Sequence, residues 1–167
     1  GEWMQKESVR PADKDMKNAE QIVRKHSQML YKICMVMLCN KSDAEDAVQE
    51  TFLRYMTKGP TTQEDEHERA WLIRVAVNTC KNMRLFSQRH NHLNIEDLEN
   101  LGVPQKFNTV FQEVTHLPAK YRVVLLLHYA QGYRTEEIAR LLNISPAAVR
   151  KRLQLGRERL KLELGKE

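Results

Sequence analysis

The sequence predicts an all-α protein of two small helical domains, an N-terminal bundle and a C-terminal four-helix domain, joined by a linker. Apolar residues recur at three- and four-residue intervals from Asn18 to Phe86 and again from Pro118 to Leu160. Between them, from His90 to Phe107, that period is lost and Gly102 and Pro104 appear. Thr135 to Gly156, TEEIARLLNISPAAVRKRLQLG, also carries the start and stop signals of two short helices around a tight turn. The expected boundaries are a loose N-terminus over 1–17, the bundle over 18–90, the linker over 91–107 and the second domain over 108–167. Gly1 to Trp3 read as an appended remnant, with Met4 as the natural start.

The first helix runs from about Asn18 to Leu38. Its Ile22, Met29, Leu30, Ile33, Val36 and Met37 keep helical spacing, and its last turns are apolar on nearly every side, as expected of a bundle's central helix. Asn40 and Lys41 break it. Ser42, with Glu45 three residues on, reads as a capping box for a helix from Asp43 to about Thr57. That helix should bury Ala44, Ala47, Val48, Phe52 and Tyr55 and show Asp43, Glu45, Asp46, Gln49 and Glu50 on its other side. First-turn acids offset the helix dipole, and the same acids could dock on a basic protein surface. Lys58 to Asp65 is a loop by its Gly-Pro and polar run.

A third helix follows from about Glu66 to Ser87, with Leu72, Val75, Thr79, Met83 and Phe86 inward. Arg74, Asn78 and Asn82, four apart, form one outward stripe flanked by Lys81 and Arg84. Asn pairs bidentately with adenine, and Arg and Lys hold phosphates. A short helix near Thr109 to Thr115 precedes one opened by Pro118 and stopped by Gly132, with Val123, Val124, Leu126 and Leu127 in its core.

In the hairpin, Thr135 is the expected N-cap of a helix whose Ile138, Ala139, Leu141 and Leu142 face inward. Asn143 ends it, because Asn tolerates the left-handed backbone a tight turn needs. Ser145 caps the next helix and Pro146 takes its first position, where the missing N–H costs nothing. Val149, Leu153, Gly156 and Leu160 should face inward. Arg150, Lys151, Gln154 and Arg157 then form a basic, acid-free outer face that fits a DNA groove, with Ser145 and Ala147 at its leading end.

Charge supports that reading. Residues 117–167 hold 11 Lys/Arg against 5 Asp/Glu, whereas residues 1–116 hold 16 against 17. A second acid-free patch, Arg69 to Ile95, contains Arg69, Arg74, Lys81, Arg84 and Arg89. Two basic surfaces on one chain suggest two contacts with one polyanion. No apolar run approaches the about 20 residues of a membrane span, and the start has no signal-peptide core, so a cytoplasmic protein without membrane insertion is expected. Cys34, Cys39 and Cys80 lie in apolar helical patterns and read as buried thiols. Cys80, His90 and His92 match no common zinc spacing, so no metal or cofactor is expected. No paired-carboxylate or nucleophile-base spacing is present, which speaks against an enzyme and leaves the catalytic assignment empty.

Three blocks, DAEDAVQETFLR at Asp43 to Arg54, AWLIRVAVNTCKN at Ala70 to Asn82, and Leu117 to Leu160, resemble the two conserved regions of an extracytoplasmic-function RNA polymerase sigma factor. They occur in the family's order and cover most of the chain after Ala19. The resemblance implies an initiation factor with no catalysis of its own, with core RNA polymerase and promoter DNA as partners and an anti-sigma protein as its inhibitor. It implies that Asp46, Gln49 and Glu50 dock on the polymerase clamp. By the same carry-over, Arg74, Asn78, Lys81, Asn82 and Arg84 lie at the minus-ten element and the Lys58 to Asp65 loop captures an extruded base. Ser145, Ala147, Arg150, Lys151, Gln154 and Arg157 are carried over to the minus-thirty-five element. Two departures are Asn143 where the family often has Gly, and Arg84-Leu85-Phe86-Ser87 in place of a denser arginine cluster. The third block also resembles the DNA-binding module of LuxR-type regulators, so the alternative is a stand-alone regulator that binds operators, which tight specific DNA binding without polymerase would favour.

Overall fold

In a computed structural model of the chain, which describes residues 11–60, 64–86, 99, 105 and 108–164, every substantial element is helical. Helix α1, Pro11–Leu38, is the axis of the molecule. It begins seven residues before the expected Asn18, with a proline at its first position, where the ring suits the helical φ. Leu30, Ile33, Cys34, Met35, Val36 and Met37 are all buried, because α1 is covered by helices from both halves of the chain.

Cys39 ends α1 in the left-handed region, φ 52°, with its N–H on the Met35 carbonyl at 2.8 Å. This early reversal shifts the next cap. Asn40, not Ser42, is the N-cap of α2, Lys41–Lys58, its Oδ1 accepting from the Asp43 N–H at 2.9 Å. Helix α2 buries Ala44, Ala47, Thr51 and Phe52, while Val48 and Tyr55 are only half-buried. Helix α3, Asp65–Phe86, differs from expectation in its rotation. Ile73, Ala76, Val77 and Cys80 join Leu72 and Thr79 in the core, whereas Val75 and Met83 are half-buried and the Phe86 side chain lies outside the described residues. The stripe is broad because α3 packs against α1 and α2 and also against a helix of the C-terminal half.

Inside this bundle a polar cluster joins three helices. The Tyr55 hydroxyl donates to Glu68 at 3.0 Å, and the His26 Nε2 lies 4.0 Å from the other Glu68 oxygen. His26 is 4 % exposed, and its Nε2 has no hydrogen-bond partner among the described residues. Burial, then nearby Lys25, holds the imidazole below its ordinary value, and burial with the Glu68 bond pushes the Tyr55 phenol up to about 12. The Cys34 thiol, hydrogen-bonded to Cys80 and buried, is pushed well up.

The C-terminal half comprises α4, Asn108–Thr115, α5, Ala119–Leu125, α6, Thr135–Leu142, and α7, Pro146–Leu164. Helix α5 continues as one π turn, Leu126–Ala130, with the Gln131 N–H reaching back to the Leu126 carbonyl at 3.0 Å. Gly132, φ 77°, then turns the chain. The N-cap of α6 is Arg134 rather than Thr135. The Glu137 carboxylate closes back on the Arg134 backbone N–H at 3.0 Å, and the same contacts hold its acid below the usual range. Asn143 adopts φ 55°, ψ 49°, and the Ser145 Oγ accepts from the Ala148 N–H at 3.1 Å, so the turn and the second cap form as expected.

At the crossing of α5 and α7, a Cβ on Gly156 would meet Leu125 Cδ1 at 3.1 Å and Tyr121 Cβ at 3.5 Å. Arg122, inside the apolar run of α5, is 6 % exposed. One buried apolar cluster extends from Ile22 to Leu153, so the halves share a core where α1 meets α5 and α3 meets α6.

Two outcomes follow from this packing. Gly156→Val should lower stability by about 1–3 kcal/mol through overpacking, read as a shift in urea midpoint without a change in slope. His26, whose folded value is depressed, contributes stability present above its ordinary 6.5 and lost as pH falls through the lower folded value. His26→Leu should therefore flatten the acid limb of the stability profile measured by urea titration. An unchanged limb would show that the imidazole is not held neutral.

Candidate nucleic-acid interface

Three exposed faces carry the sequence-predicted site residues. On α7, Val149 and Leu153 are buried, which fixes the rotation of the helix and turns Ser145, Ala147, Arg150, Lys151 and Gln154 to solvent. The cap at Ser145 leaves the helix N-terminus as the leading end of this face. The face is not free of acid. Glu158 is exposed on it and accepts from Gln154 Nε2 at 3.3 Å. Arg157, also exposed, is drawn away from the leading end, since its Nη1 donates to the Tyr129 hydroxyl at 2.7 Å on the π turn. Tyr129, within that turn, is itself 60 % exposed.

On α3, Arg74, Asn78, Lys81, Asn82 and Arg84 are all exposed on one side. Arg74 is nevertheless engaged, its Nη2 donating to the Arg140 carbonyl of α6 at 3.1 Å. One turn earlier, Arg69 donates to Gln131 Oε1 at 3.1 Å and lies 5.3 Å from the Tyr133 ring centroid. The upper part of this face thus meets the C-terminal half, whereas Asn78, Lys81 and Asn82 stay open to solvent.

On α2, Asp46, Gln49 and Glu50 are exposed, and Glu50 pairs with Arg54 at 3.1 Å, a contact of small energetic weight at this exposure. Sequence reasoning missed two neighbours on this face. Leu53 and Met56, 52 % and 55 % exposed, continue it with large apolar side chains. The signal was present: both lie off the helix's buried stripe, Leu53 three residues on from Glu50 and Met56 three on from Leu53.

The loop after α2 is anchored at both ends. Gly59 donates its N–H to the Tyr55 carbonyl at 2.8 Å, and a Cβ there would collide with that oxygen. At the far end Asp65 pairs with Lys25, which holds the carboxyl below its usual range. Residues 61–63 of the loop lie outside the described residues, as do Arg89, His90, His92 and most of the expected linker. Among the described residues no group of three His, Cys, Asp or Glu side chains is placed to hold a metal, and no helix is long and apolar enough to cross a membrane.

Residues 22–90 match the sigma-70 region 2 family, and residues 110–160 match sigma-70 region 4. The chain is 27% identical to the ECF RNA polymerase sigma factor SigW of Bacillus subtilis, over 98% of both chains. It is 25% identical to SigM of Mycobacterium tuberculosis, over 87% of this chain and 76% of that one. Its fold is shared with CnrH, solved in complex with the cytosolic domain of CnrY (TM-score 0.68, 24% identity, 91% of this chain and 90% of that one). It is shared also with the sigma factor RpoE of Bartonella quintana, solved with the anti-sigma factor NepR (TM-score 0.68, 20% identity, 89% and 98%). With the region 2 match holding the α2 and α3 faces and the region 4 match holding the α7 face, in that order along the chain, this protein belongs to the sigma-70 family, as an extracytoplasmic-function sigma factor that directs promoter recognition in transcription initiation.

Proposed function

We propose a division of that work among the three faces. Asp46, Gln49 and Glu50, extended by Leu53 and Met56, dock on a basic and apolar surface of core RNA polymerase. Arg74, Asn78, Lys81, Asn82 and Arg84 hold the minus-ten element, and the loop between α2 and α3 receives an extruded base. Capturing that base offsets part of the few kcal/mol that unstacking costs. Ser145, Ala147 and Arg150 approach base edges of the minus-thirty-five element from the leading end of α7, while Lys151, Gln154 and Arg157 act on the backbone. The bundle lies over 18–90 and the second domain over 108–167. The protein performs no chemistry of its own and acts in the cytoplasm beside the polymerase. An anti-sigma protein is its natural inhibitor, since two relatives of this fold were solved with such a partner or with a cytosolic domain bound.

The observation that carries this reading is the exposed cationic end of α7, because the buried Val149 and Leu153 leave that helix no other way to face. Each face is small, so free chain should bind promoter DNA weakly, with affinity falling as salt rises. In transcription with core enzyme over a promoter library, Arg150→Ala should cost about 1–3 kcal/mol in use of the upstream element and relax preference there. Asn78→Ala should slow opening at the downstream element. Unchanged initiation by both variants would overturn the assignment of those faces. Reversing charge with Asp46→Lys and Glu50→Lys should weaken core binding while the circular dichroism spectrum stays native. Equal core affinity in a titration would remove the docking claim. Tight sequence-specific binding by the chain alone would instead favour an autonomous regulator.

A further inference from the structure

We infer that Tyr129 is a positioning residue for DNA binding: its hydroxyl holds Arg157 at the edge of the groove, and the two side chains together take one backbone phosphate beside the minus-thirty-five element. The inference rests on the reading of α7 given above and supplies the partner of that helix's trailing cation.

Arg150 and Arg157 are seven residues apart, so they share one side of α7 at a separation of about 10 Å along its axis. The major groove is about 12 Å wide. A helix whose leading end meets base edges therefore carries Arg157 out to a groove wall, where the nearest DNA atoms are phosphate oxygens. The positions three and four residues from Arg157, namely Leu153, Gln154, Leu160 and Lys161, carry no acid. Its charge is left for the DNA.

What holds this cation comes from another element. The Arg157 Nη1 donates to the Tyr129 hydroxyl at 2.7 Å. Tyr129 is braced in turn by His128, whose ring stands edge-on to it with centroids 4.8 Å apart and planes at 80°. His128 is pinned through Nδ1, 2.9 Å from the Tyr133 carbonyl, and since a carbonyl only accepts, that nitrogen carries the proton. Neither Tyr129 nor Arg157 belongs to the buried core, so the fold gains little from the pair. What the pair sets is the direction of a charge.

A phenol has one proton and two lone pairs. Tyr129 meets Arg157 with a lone pair, which leaves its own O–H to donate. The guanidinium spends one N–H on Tyr129 and keeps its other donors. A phosphate arriving here meets one charged and one neutral donor side by side. An arginine ordered before the DNA arrives also loses less freedom on binding it.

The test uses holoenzyme reconstituted from the full chain and core polymerase, titrated by fluorescence anisotropy onto promoter duplexes that vary in the minus-thirty-five element, at several salt concentrations. Tyr129→Phe keeps the ring and removes the hydroxyl. It should weaken binding about three- to tenfold, equally on every duplex and with the salt slope unchanged. Arg157→Ala should also weaken binding equally on every duplex, but lower the slope by about one. In the Arg157→Ala background, Tyr129→Phe should cost clearly less than it does alone. Duplexes carrying a neutral methylphosphonate at single positions flanking the element locate the contact: one such position should weaken the wild type more than either variant. Unchanged affinity for Tyr129→Phe overturns the inference. So does an equal loss in the Arg157→Ala background, which would mark a structural role for the tyrosine alone, or a loss confined to one upstream sequence, which would mark base reading. Arg150→Ala, measured alongside, separates this inference from the reading beneath it. Loss from Arg150→Ala with none from Tyr129→Phe removes the inference and keeps the reading of α7, whereas no loss from either removes both.

Discussion

Everything in this molecule depends on how the C-terminal turns of α1 are buried. From Leu30 to Met37 nearly every residue is inside, which no single neighbouring helix can achieve. Helices α2 and α3 cover one side and α5 covers another. At about 25 cal/mol per Å² of apolar surface removed from water, this helix is the main reason for the N-terminal half to hold together and for the other half to adhere to it. The functional faces are what remains outward once that demand is met. Asp46, Gln49, Glu50, Leu53 and Met56 lie on the free side of α2, Asn78, Lys81, Asn82 and Arg84 on the free side of α3, and Arg150, Lys151 and Gln154 opposite the buried Val149 and Leu153.

A sigma factor needs DNA-facing cations that are fixed in direction yet exposed, and short capped helices supply them. Asn143 reverses the chain at φ 55° and Ser145 restarts it, so backbone geometry sets the direction of α7 while the buried Val149 and Leu153 set its rotation. Gly156 then lets α7 lie close against α5, and a side chain there would press on Leu125. The α3 face is steered differently, by a broad buried stripe clasped between two halves. That makes its upper end sensitive to whether the halves are together.

Much of this was legible in the residues. The helical class, the turn at Asn143, the cap at Ser145, the stop at Gly132 and the outward direction of all three polar faces follow from periodicity and from a few residues with strong backbone preferences. Two caps were misplaced, and for a shared reason. At Asn40 and Arg134 the cap is set by where the preceding chain reverses, at Cys39 and after Gly132, and a nearby Ser or Thr is only a substitute. The rotation of α3 was misjudged because part of what buries it, α6, lies in the other domain. The π turn left no mark, since a change in hydrogen-bond register does not alter which side chains are apolar. Arg122 was invisible for the plainest reason: an arginine in an apolar run ordinarily reaches out to water, and nothing local says that carbonyls await it indoors.

The paired thiols between α1 and α3 have a chemical corollary. Thiolate is the form that reacts with peroxides and electrophiles, and Cys34, buried and hydrogen-bonded to Cys80, holds its proton far above neutrality. At neutral pH the Cys34 thiol therefore stays protonated inside the fold, and it becomes nucleophilic only when the two helices come apart. Alkylation of the buried Cys34 and Cys80 would time the unravelling of the region 2 fold.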